Sequence, residues 1–429
     1  MGKKYEEYQQ SNVQWIEKVP KHWKWVRNKD IFYEQKELVG DNNSSYVLLS
    51  LTKNGIIVRD VESGKGKFPK NYDTYKAVKK GDMIFCLFDV DETPRTVGLS
   101  NFDGMITGAY NVFKVRDIAS RYAYFYYLAL DNIKALKPLY SGLRKVVPIP
   151  KFMSTQLPVP PKSEQDQIVR YLDWKTAEID RLIQQKKKQI VFLEEYEKST
   201  VDNAVSRGIK KNREMKLSGL SWIDQIPTDW DIIPSKHLFK ERKELRHEND
   251  VQCTASQKYG IISQVEYMSK EKSRVVVADQ GLDNWKHVET NDFVISLRSF
   301  QGGIERSLVT GCVTWHYIVL RPNKDVNPDF YRWLFKSRLY IKALQTTSEF
   351  IRDGQDLRYS NFVKVPLLKI PVKEQQKIAD YLANIHDNIN KMITAIDKEI
   401  SLLEELRTKL IADVVTGQID VRDEVIPDR

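Results

Sequence analysis

Short runs rich in Val, Ile, Tyr and Phe recur along the chain, bounded by turn residues. SYVLLSL, DMIFCLF and YNVFKV lie in the first half; KYGIIS, DFVISL and YIVLRP lie in the second. Branched and aromatic residues in runs of this length predict strands. Helices are predicted near Arg121 to Leu130 and from Pro328 to Leu344, the latter opened by Asn327-Pro328-Asp329. Two further segments, from about Ser163 to Arg207 and from about Lys373 to Thr416, lack internal Pro and Gly and carry apolar residues at helical spacing. They predict long helices. The second has a seam stepping by four and three through Ile389, Ile393, Ile396, Ile400, Leu403, Arg407, Leu410 and Val414, which is a heptad pattern with one break at Arg407. The matching positions of the first are Ile179, Ile183, Lys186, Ile190, Leu193, Glu197, Thr200 and Ala204, a weaker and partly polar seam that calls for a partner helix. Ser163 with Asp166 suggests a capping box at the first start, and Gly208 and Gly417 fit the two helix ends.

Self-comparison of the chain shows why these elements come in pairs. WIEKVPKHWKWVRNKDIF, from Trp15, matches WIDQIPTDWDIIPSKHLF, from Trp222; GDMIFCL at Gly81 matches NDFVISL at Asn291; PKSEQDQIVRYL at Pro161 matches PVKEQQKIADYL at Pro371. One unit of roughly two hundred residues is used twice. The copies align without a gap from Pro161 to Ile209, whereas the stretches near 33–80 and 240–290 share little. A preserved frame around two dissimilar inserts implies two sites of one kind tuned to different targets. The expected fold class is α+β: two mixed α/β insert domains separated by two long antiparallel coiled-coil helices, with an internal pseudo-twofold repeat. The expected domains are 1–160, a first helix at 161–209, 210–370, and a second helix with its tail at 371–429. At 1.5 Å per residue such helices would span on the order of 65 Å, enough to act as a ruler between two half-sites.

Composition narrows the partner. With 41% hydrophobic and 29% charged residues the chain is globular rather than disordered. Lys and Arg exceed Asp and Glu by 68 to 58, a formal charge of +10, which favours a polyanion. Cys86, Cys253 and Cys312 are scattered and odd in number, suggesting reduced thiols rather than a disulfide or zinc framework. MGKKYEEYQQ lacks the apolar segment of a signal peptide, and no apolar run reaches about 18 residues. A cytoplasmic protein without membrane association is expected.

Catalytic signatures are not evident. No glycine-rich phosphate loop is found, and Asn327-Pro328-Asp329-Phe330 departs from an Asn/Asp-Pro-Pro-aromatic methyltransferase motif at its third residue. Asp30 with Glu34-Gln35-Lys36 has the loose spacing of a nuclease, but such spacings arise readily in a charged chain. The six His show no metal-binding spacing, so no metal site and no catalytic residue are expected.

Proline before Ser-Glu-Gln or Lys-Glu-Gln, a long heptad helix, and the arrangement used twice after variable stretches resemble the specificity subunit of type I restriction-modification systems. QLPVPPKSEQDQIVRYLD, VPLLKIPVKEQQKIADYL and the Trp-Ile-x-x-Ile/Val-Pro-x-x-Trp opening of each copy carry the resemblance, which extends over nearly the whole chain. It implies that each variable domain reads one half of a split double-stranded DNA target while the helices set the gap. It also implies a non-catalytic chain joined by two methyltransferase (M) subunits and, for restriction, by motor-nuclease (R) subunits. S-adenosylmethionine, ATP and magnesium would belong to those partners, and no cofactor to this chain. A coiled-coil adaptor without sequence-specific DNA affinity is the rival reading; a single-strand or RNA module would want aromatic platforms that are not apparent.

Base reading needs side chains that match base edges, supported by cations on phosphates. Candidate DNA-binding residues are Arg298 and Gln301 in a Gly302-Gly303 loop, where glycine would permit close approach to DNA, and Arg95 in the matching, more acidic first-copy loop. Arg144 with Lys145, Arg352 and Arg358 precede the long helices, and Lys65, Lys67 and Lys70 alternate with glycines. The recurring Trp15, Trp23, Trp222 and Trp230 fit core or docking roles better than base stacking.

Overall fold

The computed structural model describes residues 3–60, 72–141, 145–272, 281–347 and 357–427. The chain forms two compact units. Unit 1 comprises Met1–Lys186 with Asp397–Arg429, and unit 2 comprises Lys187–Ile396. Each therefore combines one variable domain with parts of both long helices, Lys162–Arg207 and Val372–Val415.

At the centre of unit 1 is an antiparallel sheet ordered Phe32–Gln35, Asn111–Val115, Met83–Phe85, Val97–Leu99. Strand alternation sends successive side chains to opposite faces. Phe32, Phe85 and Phe113 pack with Tyr127 and Phe152 on one face, while Ile84 and Val112 join Leu49, Ile56, Val78 and Ile106 on the other. Unit 2 repeats this plan with Phe239–Arg242, Ile318–Pro322, Phe293–Ile295 and Glu305–Arg306. Phe239 and Phe293 face the larger core, and Val294 and Val319 face a small cluster with Cys253, Ile261 and Val288. Burying each large apolar side chain contributes about 1.5–3 kcal/mol, so both faces are anchored and a one-residue register slip would empty both cores at once.

Helix Ser120–Asn132 covers the first sheet, as its apolar spacing predicts. The expected single helix over Pro328 to Leu344 is instead two, Pro328–Lys336 and Arg338–Gln345. Ser337 adopts an extended backbone, and its hydroxyl accepts from Tyr340 N while donating to Leu334 O, ending one helix and capping the next. Asn327 does cap the first of them through Asp329 N and Phe330 N. The capping box at Ser163 is not formed. The amides of Glu164 and Gln165 bond Pro161 O, so Ser163 lies inside the first turn, and Asp166 pairs with Lys162 at 3.0 Å.

In unit 1 the start of the first long helix and the end of the second run antiparallel, Asp180 meeting Arg407 at 3.1 Å and Lys186 meeting Glu399 at 2.6 Å. Ile179, Ile183 and Ile400 are buried in this seam, Leu403 and Leu410 are half-buried, and Val414 enters the main core. In unit 2 Glu197 meets His386 at 2.5 Å, Ile389 is buried, and Ile190, Leu193, Ile393 and Ile396 are half-buried. The polar seam positions Lys186, Glu197 and Arg407 are thus each met by an opposite or titratable charge across the helices. Arg407 Nε lies in line for no hydrogen bond, so its contact with Asp180 is a charge contact.

Candidate nucleic-acid interface

One local device, used twice, joins each variable domain to its long helix. Trp23 Nε1 donates to Glu164 Oε1 at 2.9 Å, and Trp230 Nε1 donates to Glu374 Oε2 at 3.3 Å. The neighbouring glutamines do matching work. Gln165 accepts from Ala119 N and donates to Pro160 O; Gln375 accepts from Asn327 N and donates to Ile370 O. The repeated Glu-Gln therefore ties the helix start to its domain, and both tryptophans are buried, as expected of core residues. Trp222 is buried against Tyr340, while Trp15 donates to Tyr126 OH. The helix ends dock on the same places. Gly417 (φ +71°) lies against Pro20 and Trp23, and Gly208 (φ +73°) lies against Trp230 and Glu374; the left-handed backbone and these contacts leave no room for a side chain.

Beyond this frame the two copies present different loops. In unit 2 the strand Phe293–Ile295 leads into a short helix, Ser299–Gly302, that leaves Arg298 and Gln301 exposed. Arg298 has no ion-pair partner among the described residues and sits near Tyr317, whose hydroxyl burial pushes up and the Arg298 charge pulls down. Trp315, in the adjoining turn, is 54% exposed and stacked on His316 at 3.4 Å. This exposed aromatic pair, in the turn between Gly311–Val313 and Ile318–Pro322, was not signalled by the sequence. Gly302 and Gly303 have an internal reason for being glycine. A Cβ at the first would meet the Gln257 side chain at 2.2 Å and at the second Phe335 O at 2.2 Å, so they need not serve approach to DNA.

In unit 1 Phe88 occupies the position of Arg298 and stacks on Tyr110. The following acidic loop is held to the segment before the long helix: Asp89 N donates to Lys145 O at 2.7 Å, and Lys145 Nζ bonds Glu92. Tyr140 and Lys137 bond Asp91 and hold its carboxyl down at about 2. The loop and Lys145, separate in sequence, are thus brought together. Arg95 is a correction. It is turned inward, bonded to Asp131 at 2.8 Å and Asn132 at 3.0 Å with its side chain 16% exposed, and with Lys134, also at 2.8 Å, it compensates the buried Asp131 carboxylate. Arg358 is exposed at the start of a short turn of helix. Lys65, Lys67, Lys70, Arg144 and Arg352 lie outside the described residues.

All three cysteines are free and buried; burial pushes the Cys253 thiol up to about 12 and Cys312 to about 11. Among the described residues no helix is long and apolar enough to cross a membrane.

A frame used twice thus carries two unlike loop sets, one in each unit. Residues 20–191 match the family described as the type I restriction modification DNA specificity domain. A chain solved in a study of complex assembly and conformational transition of the type I R-M system shares the fold, with a TM-score of 0.64, 13% identity, and coverage of 94% of this chain and 99% of that one. The HsdS subunit from Thermoanaerobacter tengcongensis aligns with a TM-score of 0.51 and 15% identity over 94% of this chain and 98% of that chain. The resemblance read from the sequence agrees with these findings: the type I DNA specificity domain model matches residues 20–191, and the chain as a whole shares the fold of the HsdS subunit.

Proposed function

We propose that each unit reads one half of a bipartite double-stranded DNA target and that the chain, itself without catalytic residues, directs methyltransferase and motor-nuclease subunits to it. The observation that carries this reading is the repeated Trp-Glu-Gln frame supporting two unlike loops, Phe88 on Tyr110 in one copy and an exposed Arg298 at the matching position of the other. Identical frames keep both loop sets in matching poses; unlike loops then confer unlike base preferences. Partner subunits dock on the shared helical parts and carry S-adenosylmethionine, ATP and magnesium.

Co-expression with the cognate methyltransferase, followed by single-base mapping of methylation in host DNA, tests this. A split motif with a fixed unread gap is the expected result, and replacing residues 220–360 with another such domain changes one half-motif only. A change in both halves would break the modular reading, and no new methylation despite a stable, active complex would favour an adaptor.

A further inference from the structure

The loop after strand Phe239–Arg242 carries Glu244 and His247, three residues apart, and the strand Lys286–Val288 carries His287. The fold brings these together: His247 Nε2 lies 2.8 Å from Glu244 Oε1, the two imidazole rings are 4.0 Å apart, and one ligand atom from each of the three residues lies within 4.8 Å of the others. We propose that Glu244, His247 and His287 form a binding site for a divalent transition metal of the zinc class, pinning the 243–250 loop of the second recognition domain to its small sheet.

Three features support a cation here. First, the inner histidine is oriented for it. His287 is 4% exposed, and its Nδ1 is fixed at 2.8 Å by Asp250, itself 7% exposed. A proton held on Nδ1 by a carboxylate leaves the Nε2 lone pair for a metal, the usual arrangement behind a ligating imidazole. Second, the spacing needs little adjustment. Ligands about 2.1 Å from a tetrahedral centre stand roughly 3.4 Å apart, so the Glu244–His247 pair opens slightly and the third ligand closes in. Glu289 Oε1, 3.8 Å from His287 Nε2, can approach the fourth position, which is otherwise open to water. Third, charge favours it. Arg242 bonds Glu244, Glu289 and Asp292, and Asp250 adds a fourth carboxylate; even with Arg246 in the same loop, acids outnumber guanidinium groups. Two imidazoles and a carboxylate suit zinc, nickel or copper better than magnesium or calcium.

The first copy supplies an internal control. His287 N bonds Glu244 O at 2.9 Å just as Ala77 N bonds Glu37 O at 2.9 Å, and Leu245 bridges Lys286 as Leu38 bridges Lys76. By this correspondence Glu37 matches Glu244, but Gly40 and Ala77 stand where His247 and His287 stand, so the same backbone corner lacks both histidines. The site is a property of the second insert, not of the shared frame.

The test is titration of the untagged full-length chain with zinc or cobalt, read by bound-metal stoichiometry and by the visible bands of tetrahedral cobalt. One equivalent bound at micromolar concentration or tighter is expected, at least tenfold weaker after His247→Ala, whose side chain is 55% exposed and not needed for the core. Asp250→Asn, which alters the acceptor of both His287 Nδ1 and the His247 amide, should weaken binding about 10-fold or more. Glu37→Gln in the first copy should change nothing. No saturable binding, or binding equal in the wild type and His247→Ala, would overturn the proposal.

Discussion

Units 1 and 2 solve the same junction with different chemistry. In unit 1 the buried Glu164 is met by neutral donors, Tyr5 at 2.5 Å and Trp23 at 2.9 Å, and by His22 at 2.8 Å. In unit 2 the equivalent Glu374 is met by Trp230 and by the guanidinium of Arg213, which also holds Asp229. A duplicated fold thus keeps the acceptor and the tryptophan while letting the remaining partners change. What is preserved is that a buried carboxylate must be satisfied, not which residue does it.

The sharpest way to break this comparison is to neutralise both carboxylates. Glu374→Gln leaves a 9%-exposed guanidinium with only Asp229, so a loss of about 3 kcal/mol is expected. Glu164→Gln leaves neutral donors that an amide oxygen can still accept from, and should cost about 1 kcal/mol. Hydrogen exchange of each unit in the two variants checks this; equal losses would refute the distinction.

A second contrast concerns the loops. Arg298→Ala should weaken DNA binding by about 1–3 kcal/mol and relax one half of the target only. Arg95→Ala should leave sequence preference intact and instead loosen unit 1, because its guanidinium serves Asp131. Binding to duplexes varied in one half at a time distinguishes the two.

The smallest effect lies in the helical seams. In unit 1 Asp180 faces Arg407, whereas in unit 2 Glu197 faces the titratable His386. The hydrogen bond that His386 Nδ1 donates to Glu197 raises the His386 pKa above its ordinary value, against burial and the charge of Arg332; Asp387 adds to the rise. A raised folded-state value means the pair stabilises fully below the unfolded pKa of about 6.5 and loses this contribution as pH climbs through the folded value. The half-exposed pair is worth under about 1 kcal/mol. Exchange protection of residues 187–207 should therefore decline across that window, with residues 162–186 unchanged; His386→Gln should flatten the dependence.

The sequence by itself determined the repeat, the two central strands of each main sheet and both long helices, because these depend on periodicity and on comparison of the chain with itself; the edge strands Phe32–Gln35, Val97–Leu99, Phe239–Arg242 and Glu305–Arg306 were not signalled by it. It also marked the seam: Ile179, Ile183, Ile389 and Ile400 are buried where the heptad pattern placed them. Only the tertiary structure decided which charged groups face outward and which meet. Arg95 and Asp131 are 36 residues apart, and the sheet joins them; His247 and His287 are 40 apart, on a loop and a strand that pair through Leu245 and Lys286. Likewise a side chain at Gly302 would meet that of Gln257, 45 residues away, and Ser337 ends a helix whose apolar pattern runs on through it. Local periodicity records which face of an element is apolar, but the partner of a polar side chain is set by long-range packing, and on that partner its role depends.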